Sequence, residues 1–167
     1  MAHDHWENCV AHFDAQVDVF AEEYFGRAEV HCLLVAAAGF DPRSIGIATL
    51  LAGHLGDRLS GLFVREERGT PDAGLVTLAD QNTEQLRTLV PGCEIAAVDI
   101  FGNDNAPVAG ARIASVIRDY DIADETTDIV LDMTALSIGV AFPAARLLLD
   151  HCESHGIAFH IMIASNP

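Results

Sequence analysis

The sequence predicts an α/β domain of three layers, in which about five mostly parallel strands carry helices on both faces of the sheet. Two observations support this class. Apolar segments of strand length alternate with amphipathic segments of helix length along the chain. The first apolar segment, residues 30–38, has seven apolar or small residues in a row after His31. Such an uninterrupted run is typical of a strand that helices cover on both faces.

The remaining elements follow in regular alternation, as right-handed crossovers between parallel strands require. Partial alternation of apolar residues in the third strand favours a place near the sheet edge. We expect the second helix to turn Leu75, Leu78, Leu86 and Leu89 inward. The further predicted strands are residues 59–64, 93–101, 128–133 and 157–163. The predicted helices are residues 44–55, 73–90 and 107–120, and residues 134–155 are predicted to form a turn and a helix.

An amphipathic helix over residues 4–25 is predicted before the first strand, and its apolar residues recur at steps of three and four. We expect this helix to pack on its own domain, with presentation to another subunit as the alternative. The chain is then one domain, residues 1–167, in which residues 1–26 are appended to a core of residues 29–167. The apolar stripe consists of Trp6, Cys9, Val10, Phe13, Val17, Phe20 and Tyr24.

The charge of the chain excludes one class of partner. The sequence has 25 acidic residues against nine arginines and no lysine, which gives a net charge of −16. Nucleic-acid backbones need basic patches, so we expect no direct nucleic-acid binding. No apolar run reaches the length that spans a membrane, and a cytoplasmic protein is the expectation. The four cysteines are widely spaced, which is typical of reduced thiols.

The turn after the first strand is the first candidate binding site. Gly39 allows a sharp turn, and Asp41 and Ser44 are possible caps for the helix that follows. A helix N-terminus here would suit a small anion, to which Arg43 would add a bidentate donor. In the alternative interpretation, Asp41 only caps the helix and Arg43 pairs with a nearby acid. The sequence leaves both interpretations open.

Two further loops are expected at the same edge of the sheet, where parallel α/β sheets form their sites. Glu66 and Glu67 follow the second strand, and either is a candidate acceptor for ribose hydroxyls, or else they are part of a solvated turn. Asp132, Thr134 and Ser137 follow the fourth strand and lead into a helix. If the first and fourth strands are neighbours, this loop faces the turn at Gly39. Alternatively, the two hydroxyls are ordinary helix caps.

Two groups of histidine and cysteine have a spacing that zinc could use, although each lacks a fourth ligand. We assign no metal site to either group, and Cys9 also belongs to the apolar stripe, which favours core packing. The groups are His5, Cys9 and His12 near the start of the chain, and His151, Cys152 and His155 near its end.

The layout of residues 30–163 resembles that of the Rossmann-like nucleotide-sensing domains of CRISPR systems. Those domains carry a polar loop after the first strand and an Asn-x-Thr-Gly-Gly-Thr-Lys-like loop after the fourth. In the matching stretch, residues 132–138, Thr134 corresponds to the first threonine and Ser137 replaces the second. The two glycines and the phosphate-binding lysine have no counterpart. The resemblance implies a Rossmann-like fold and a nucleotide as ligand.

Residues 35–43 are also similar to the first loop of S-adenosylmethionine-dependent methyltransferases, with one glycine where that family has two or three. This second resemblance implies that Glu66 binds ribose and that Asp132 lies in the catalytic loop. Neither a G-x-G-x-x-G motif nor a P-loop is present.

Three functions follow from these patterns. The first is a ligand-binding or nucleotide-sensing domain that is not catalytic and acts in a larger assembly with a protein partner or a second copy. The second is a methyltransferase-like enzyme, and the third is a structural subunit of a complex. No catalytic residue is assigned, and a nucleotide is the candidate cofactor. The binding residues predicted for the first function are Gly39, Asp41, Arg43, Ser44, Glu66, Asp132, Thr134 and Ser137.

Overall fold

A computed structural model describes residues 9–165 and confirms the predicted class. Its five strands form one parallel sheet in the order β3-β2-β1-β4-β5. Every residue of β1 is buried, as the unbroken apolar run predicts. The third strand lies at an edge, also as predicted. The strands are β1 (Cys32–Ala37), β2 (Leu59–Glu67), β3 (Glu94–Asp99), β4 (Asp128–Asp132) and β5 (Ala158–Met162).

Helices cover both faces of the sheet and enclose two separate apolar cores. The helices after β1 and β2 pack on one face, and those after β3 and β4 pack on the other. Successive residues of β1 pack alternately into the two cores, with Leu34 in the first and Leu33 and Val35 in the second. The four helices are α2 (Gly46–Leu55), α3 (Ala73–Leu89), α4 (Ala109–Asp119) and α5 (Ile138–His155).

The strand order creates a crevice at the carboxyl edge of the sheet. The chain runs outward from β1 through β2 to β3, and then returns to place β4 on the free side of β1. As a result, α2 and α5 leave two neighbouring strands toward opposite faces. The loops after β1 and β4 therefore diverge, and open α/β sheets bind ligands at such a point.

The N-terminal helix is shorter than the sequence predicts. Residues 9–13 are not helical, α1 spans Ala15–Phe20, and a π-helical turn follows at Ala21–Phe25. Asp14 has a φ of 49°, which breaks the helical path. Val10 and Phe13 are exposed, so this part of the apolar stripe has no surface to pack against. Residues 4–8 of the predicted helix lie outside the described residues.

The π-helical turn is the part of this segment that packs on the domain, as expected. Phe25 is fully buried, and the Tyr24 hydroxyl donates to Asp128 Oδ1 at 2.9 Å. Asp128 also accepts from Thr127 Oγ1 and lies 2.7 Å from His160 Nε2. Burial alone would raise the pKa of Asp128, but these hydrogen bonds outweigh burial and hold the pKa below its usual range. This network fixes the N-terminal segment to the amino end of the sheet.

The end of β2 and the start of α4 also differ from the prediction. Strand β2 continues to Glu67 because its last residues pair with β3, so Glu66 lies in a strand and not in a loop. Helix α4 begins at Ala109, since Pro107 forms an isolated bridge with Phe101. Within residues 9–165, no helix is both long and apolar enough to cross a membrane.

Candidate functional site

The loop after β1 carries an ion pair between two of the predicted site residues. Asp41 caps a short 3-10 helix, Pro42–Ile45, by accepting from the backbone N–H of Arg43 at 2.9 Å. The same carboxylate accepts from Arg43 Nε at 3.0 Å and from Arg43 Nη2 at 2.7 Å. The hydrogen bonds from Arg43 hold the pKa of Asp41 below its usual value. Asp41 therefore neutralises the Arg43 guanidinium, which was predicted to bind an anionic ligand.

Asn82 holds this loop in place, and the sequence reasoning missed it. Its Nδ2 donates to the carbonyl of Gly39 at 2.8 Å and to the carbonyl of Asp41 at 3.1 Å. Buried Ser44 donates to the carbonyl of Asp41 at 2.7 Å, and so does not act as a helix cap. Asn82 reaches the loop because the inner face of α3 is formed by Ala79, Asn82, Thr83 and Leu86.

This inner face corrects the one predicted for the second helix. Leu75 and Leu78 were expected to point inward, and both are exposed. The leucine spacing fits a helical stripe, but it does not show which stripe faces the sheet. The signal that could have identified Asn82 is its spacing, because a residue three positions after Ala79 and four before Leu86 lies on the same helical stripe as both.

The end of β4 provides a buried carboxyl group. Asp132 is almost fully buried, and its Oδ1 accepts from the backbone N–H of Thr134 at 2.8 Å. Burial raises the pKa of Asp132, and hydrogen bonding to Thr134 together with the nearby Arg43 guanidinium only partly offsets this rise. The Thr134 hydroxyl accepts from the backbone N–H of Ala164 at 2.8 Å, so it ties the end of β5 to this loop. Thr134 is thus not a helix cap.

Glu66 and Ser137 meet across the carboxyl edge, although 71 positions separate them. Ser137 occupies the N-cap position of α5, and its backbone N–H donates to Glu66 Oε1 at 2.7 Å. The Ser137 hydroxyl forms no cap bond, and its buried Oγ has no partner within residues 9–165. In the same part of the chain, no acceptor is found for the N–H groups of Ile138 and Gly139.

These contacts place the predicted residues on two walls of the crevice. Register puts Glu66 on the α5 side of the sheet, and Asp132 on the α2 side with the Asp41–Arg43 pair. The predicted residues therefore bring three carboxyl groups and one guanidinium to this edge of the sheet. This balance favours ligand groups that donate hydrogen bonds over groups that carry several negative charges.

Two surface depressions of about 420 Å³ each lie away from this crevice. One is formed by the N-terminal segment around His12 and Phe20, whose rings stack with centroids 4.6 Å apart. The other lies between the ends of α4 and α5, beside Tyr120 and His151. Neither includes a predicted site residue.

Within residues 9–165, no cluster of three metal-binding side chains is found. His151 and His155 stack with ring centroids 4.1 Å apart, while Cys152 between them is buried in the core. His5 lies outside the described residues, so the first group stays untested as a set. Burial raises the pKa of Cys152 to about 11, which keeps its thiol protonated.

The fold and the crevice define a Rossmann-like α/β domain. Comparison with known proteins gives no match to a protein-family model and no significant match to a curated protein.

Proposed function

We propose that this protein is a non-catalytic binding domain that takes a small nucleoside-containing ligand in the crevice between the loops after β1 and β4. The observation that carries the proposal is the contact between Glu66 and Ser137 at 2.7 Å. This contact places the Glu66 carboxylate beside the N-terminus of α5, which has free N–H groups. The second oxygen of Glu66 has no partner within residues 9–165. A ribose hydroxyl is a natural donor to that oxygen.

The charges around the crevice narrow the ligand class. Arg43 is already bound by Asp41, and Glu66 already occupies the N–H of Ser137. A di- or triphosphate would have to compete with these carboxylates and approach a third, Asp132. A nucleoside or a nucleoside monophosphate avoids most of this repulsion, because its ribose and base present hydrogen-bond donors.

The same observations favour S-adenosylmethionine as a second candidate ligand. Its sulfonium and amino groups are cationic, so an acid-rich crevice attracts them. Glu66 near the end of β2 is suitably placed in the fold to accept its ribose hydroxyls. Binding of this ligand would support the methyltransferase-like alternative.

The test is a ligand panel of adenosine, AMP, ATP and S-adenosylmethionine, measured by thermal shift and calorimetry on the whole chain. We expect adenosine or AMP to stabilise the protein and ATP to bind more weakly. The change Glu66→Gln removes a charged acceptor, whose hydrogen bond contributes about 1.5–3 kcal/mol. The dissociation constant should therefore rise by roughly 10- to 100-fold.

A matched control lies at the next position of the same strand. Glu67 points to the opposite face of the sheet and pairs there with Arg65, so Glu67→Gln should leave binding unchanged. Absence of binding by every member of the panel would overturn the proposal. Equal loss of affinity in Glu66→Gln and Glu67→Gln would show that the ligand lies elsewhere.

A further inference from the structure

The outer edge of β5 is open, since β4 is its only strand neighbour in residues 9–165. Ala158 donates its N–H to the carbonyl of Thr127, and the carbonyl of Met162 accepts from Met133. These two β5 residues thus direct their backbone groups toward β4. Successive residues of a strand alternate in this respect, so Phe159 and Ile161 direct their N–H and C=O groups outward.

Exposed apolar side chains adjoin this edge on the α5 side of the sheet. Ile161 pairs with Leu131, which faces α5, and it is 45% exposed, while Ile163 just beyond the strand is 67% exposed. On α5 itself, Ile138 is 77% exposed and Phe142 is 62% exposed, one helical turn apart. We call these four side chains and the open edge the β5 surface.

The position of α4 shows where the α5 residues of this surface point. A Cβ added at Gly110 of α4 would lie 3.3 Å from Pro143 and 3.6 Å from the Gly139 carbonyl, so these α5 residues form the contact with α4. At 100° per residue, Ile138 and Phe142 lie about 100° around the helix from Gly139 and Pro143, and therefore off the contact with α4. Ile138 and Phe142 lie at the start of α5, and Ile161 and Ile163 lie at the end of β5, so the four apolar residues share the carboxyl edge and the α5 side of the sheet.

The β5 surface also differs from the rest of the chain in charge. Residues 156–165 contain no Asp, Glu, Lys or Arg, although the whole chain has 25 acidic residues. Their one histidine, His160, lies on the α2 side of the sheet and contacts Asp128 there. The opposite sheet edge, β3, begins with Glu94 and ends with Asp99, and both are exposed. Charged residues on an edge strand prevent pairing with another sheet. Strand β3 has this protection and β5 does not.

We propose that two copies of this chain associate through the β5 surface, with their β5 strands antiparallel across a two-fold axis. The sheet then continues through ten strands, five from each copy. A two-fold interface uses the same patch on both copies, and an open edge beside an apolar patch is self-complementary in that way. A basic partner would be drawn to the acidic surfaces instead. Two copies with a charge of −16 each can meet most closely where acids are absent.

The test is the mass of the whole chain in solution, measured by light scattering and sedimentation from micromolar to about millimolar concentration. We expect a dimer whose dissociation constant falls when salt is raised, because salt screens the repulsion between the acidic copies. The changes Ile161→Asp and Phe142→Asp should each weaken the dimer by at least roughly 100-fold, since each buries two carboxylates at the interface. Both side chains are exposed in the single copy, so neither change disturbs its core.

Leu78→Asp is the matched control. Leu78 on α3 is 47% exposed, close to the value for Ile161, and lies on the other face of the sheet. This variant should remain a dimer. Hydrogen exchange should show that the amides of Phe159 and Ile161 are protected in the wild type and exchange freely in Ile161→Asp. A wild-type monomer over the whole range would overturn the proposal, as would a dimer that survives Ile161→Asp or that Leu78→Asp disrupts equally.

Discussion

The Tyr24 hydroxyl offers a direct test of how the N-terminal segment is held on the sheet. Tyr24→Phe removes the O–H group that lies 2.9 Å from Asp128 and keeps the ring. The ring continues to stack on Phe20, at 5.0 Å between centroids, and to contact Phe25 at 5.3 Å. The variant therefore isolates one hydrogen bond to a carboxylate.

The expected loss follows from the surroundings of that bond. A hydrogen bond to a charged group contributes about 1.5–3 kcal/mol. Asp128 still accepts from Thr127 and contacts His160, and Tyr24 is partly exposed, so we expect the lower end of this range. Burial and the hydrogen bond to Asp128 raise the pKa of Tyr24 to about 12, so the hydroxyl is protonated at every pH of the experiment. A loss of about 1.5 kcal/mol lowers the melting temperature by about 3–6 °C.

The effect should depend on pH in a defined direction. The pKa of Asp128 is lowered in the folded protein. The stabilisation by the Asp128 carboxylate is then complete above the ordinary carboxyl pKa of about 4. It is lost as the pH falls through the lower pKa that Asp128 has in the folded protein. The difference between wild type and Tyr24→Phe should be constant near neutral pH and shrink below about pH 4. Urea unfolding at several pH values measures it.

The control is Tyr120→Phe. Tyr120 is half-buried, and its hydroxyl makes no hydrogen bond within residues 9–165. This change should alter the free energy of unfolding by less than about 0.5 kcal/mol. Equal effects of the two variants, or an effect of Tyr24→Phe that does not change with pH, would refute the reasoning.

Two further variants test the loops of the crevice. Asn82→Ala removes the amide that holds two carbonyls of the β1 loop, and it should cost about 2 kcal/mol in urea unfolding, whereas Gln81→Ala at the exposed neighbouring position should be near neutral. Asp132→Asn keeps an acceptor for the N–H of Thr134 and removes a carboxyl whose pKa burial raises. Because the pKa of Asp132 is raised in the folded protein, the free energy of unfolding of the wild type falls as the pH rises through that pKa. Asp132→Asn should therefore be more stable than wild type at pH 7, and its stability should depend less on pH between about pH 4 and 7. A less stable Asp132→Asn at neutral pH would contradict this sign.

The architecture could be predicted because the sequence patterns that indicate it lie within short stretches of the chain. The unbroken apolar run that contains β1 identifies a central strand, and the alternation of short apolar and longer amphipathic segments identifies a parallel sheet. The positions of Gly39, Asp132 and Ser137 at one edge follow from that topology alone. The predicted N-terminal helix was wrong for residues 9–13, because periodicity shows only that an apolar stripe can be buried. In the structure Phe13 has no surface to pack against.

The bonding of the crevice was not predictable, because its partners are distant in sequence. Glu66 and Ser137 are 71 positions apart, and Tyr24 and Asp128 are 104 apart. No spacing rule indicates such pairs. Arg43 was expected to face a ligand or a nearby acid, and only the structure shows that Asp41, two residues away, holds it.

The most direct test of the proposed function is the amide spectrum of the ¹⁵N-labelled chain during titration with adenosine. The proposal predicts saturable shifts that cluster at Ser137, Ile138 and the loop from Gly39 to Ser44, and their loss in Glu66→Gln. A spectrum that does not change at saturating adenosine would contradict it. So would shifts confined to the depression beside Tyr120, because that would place the ligand outside the crevice.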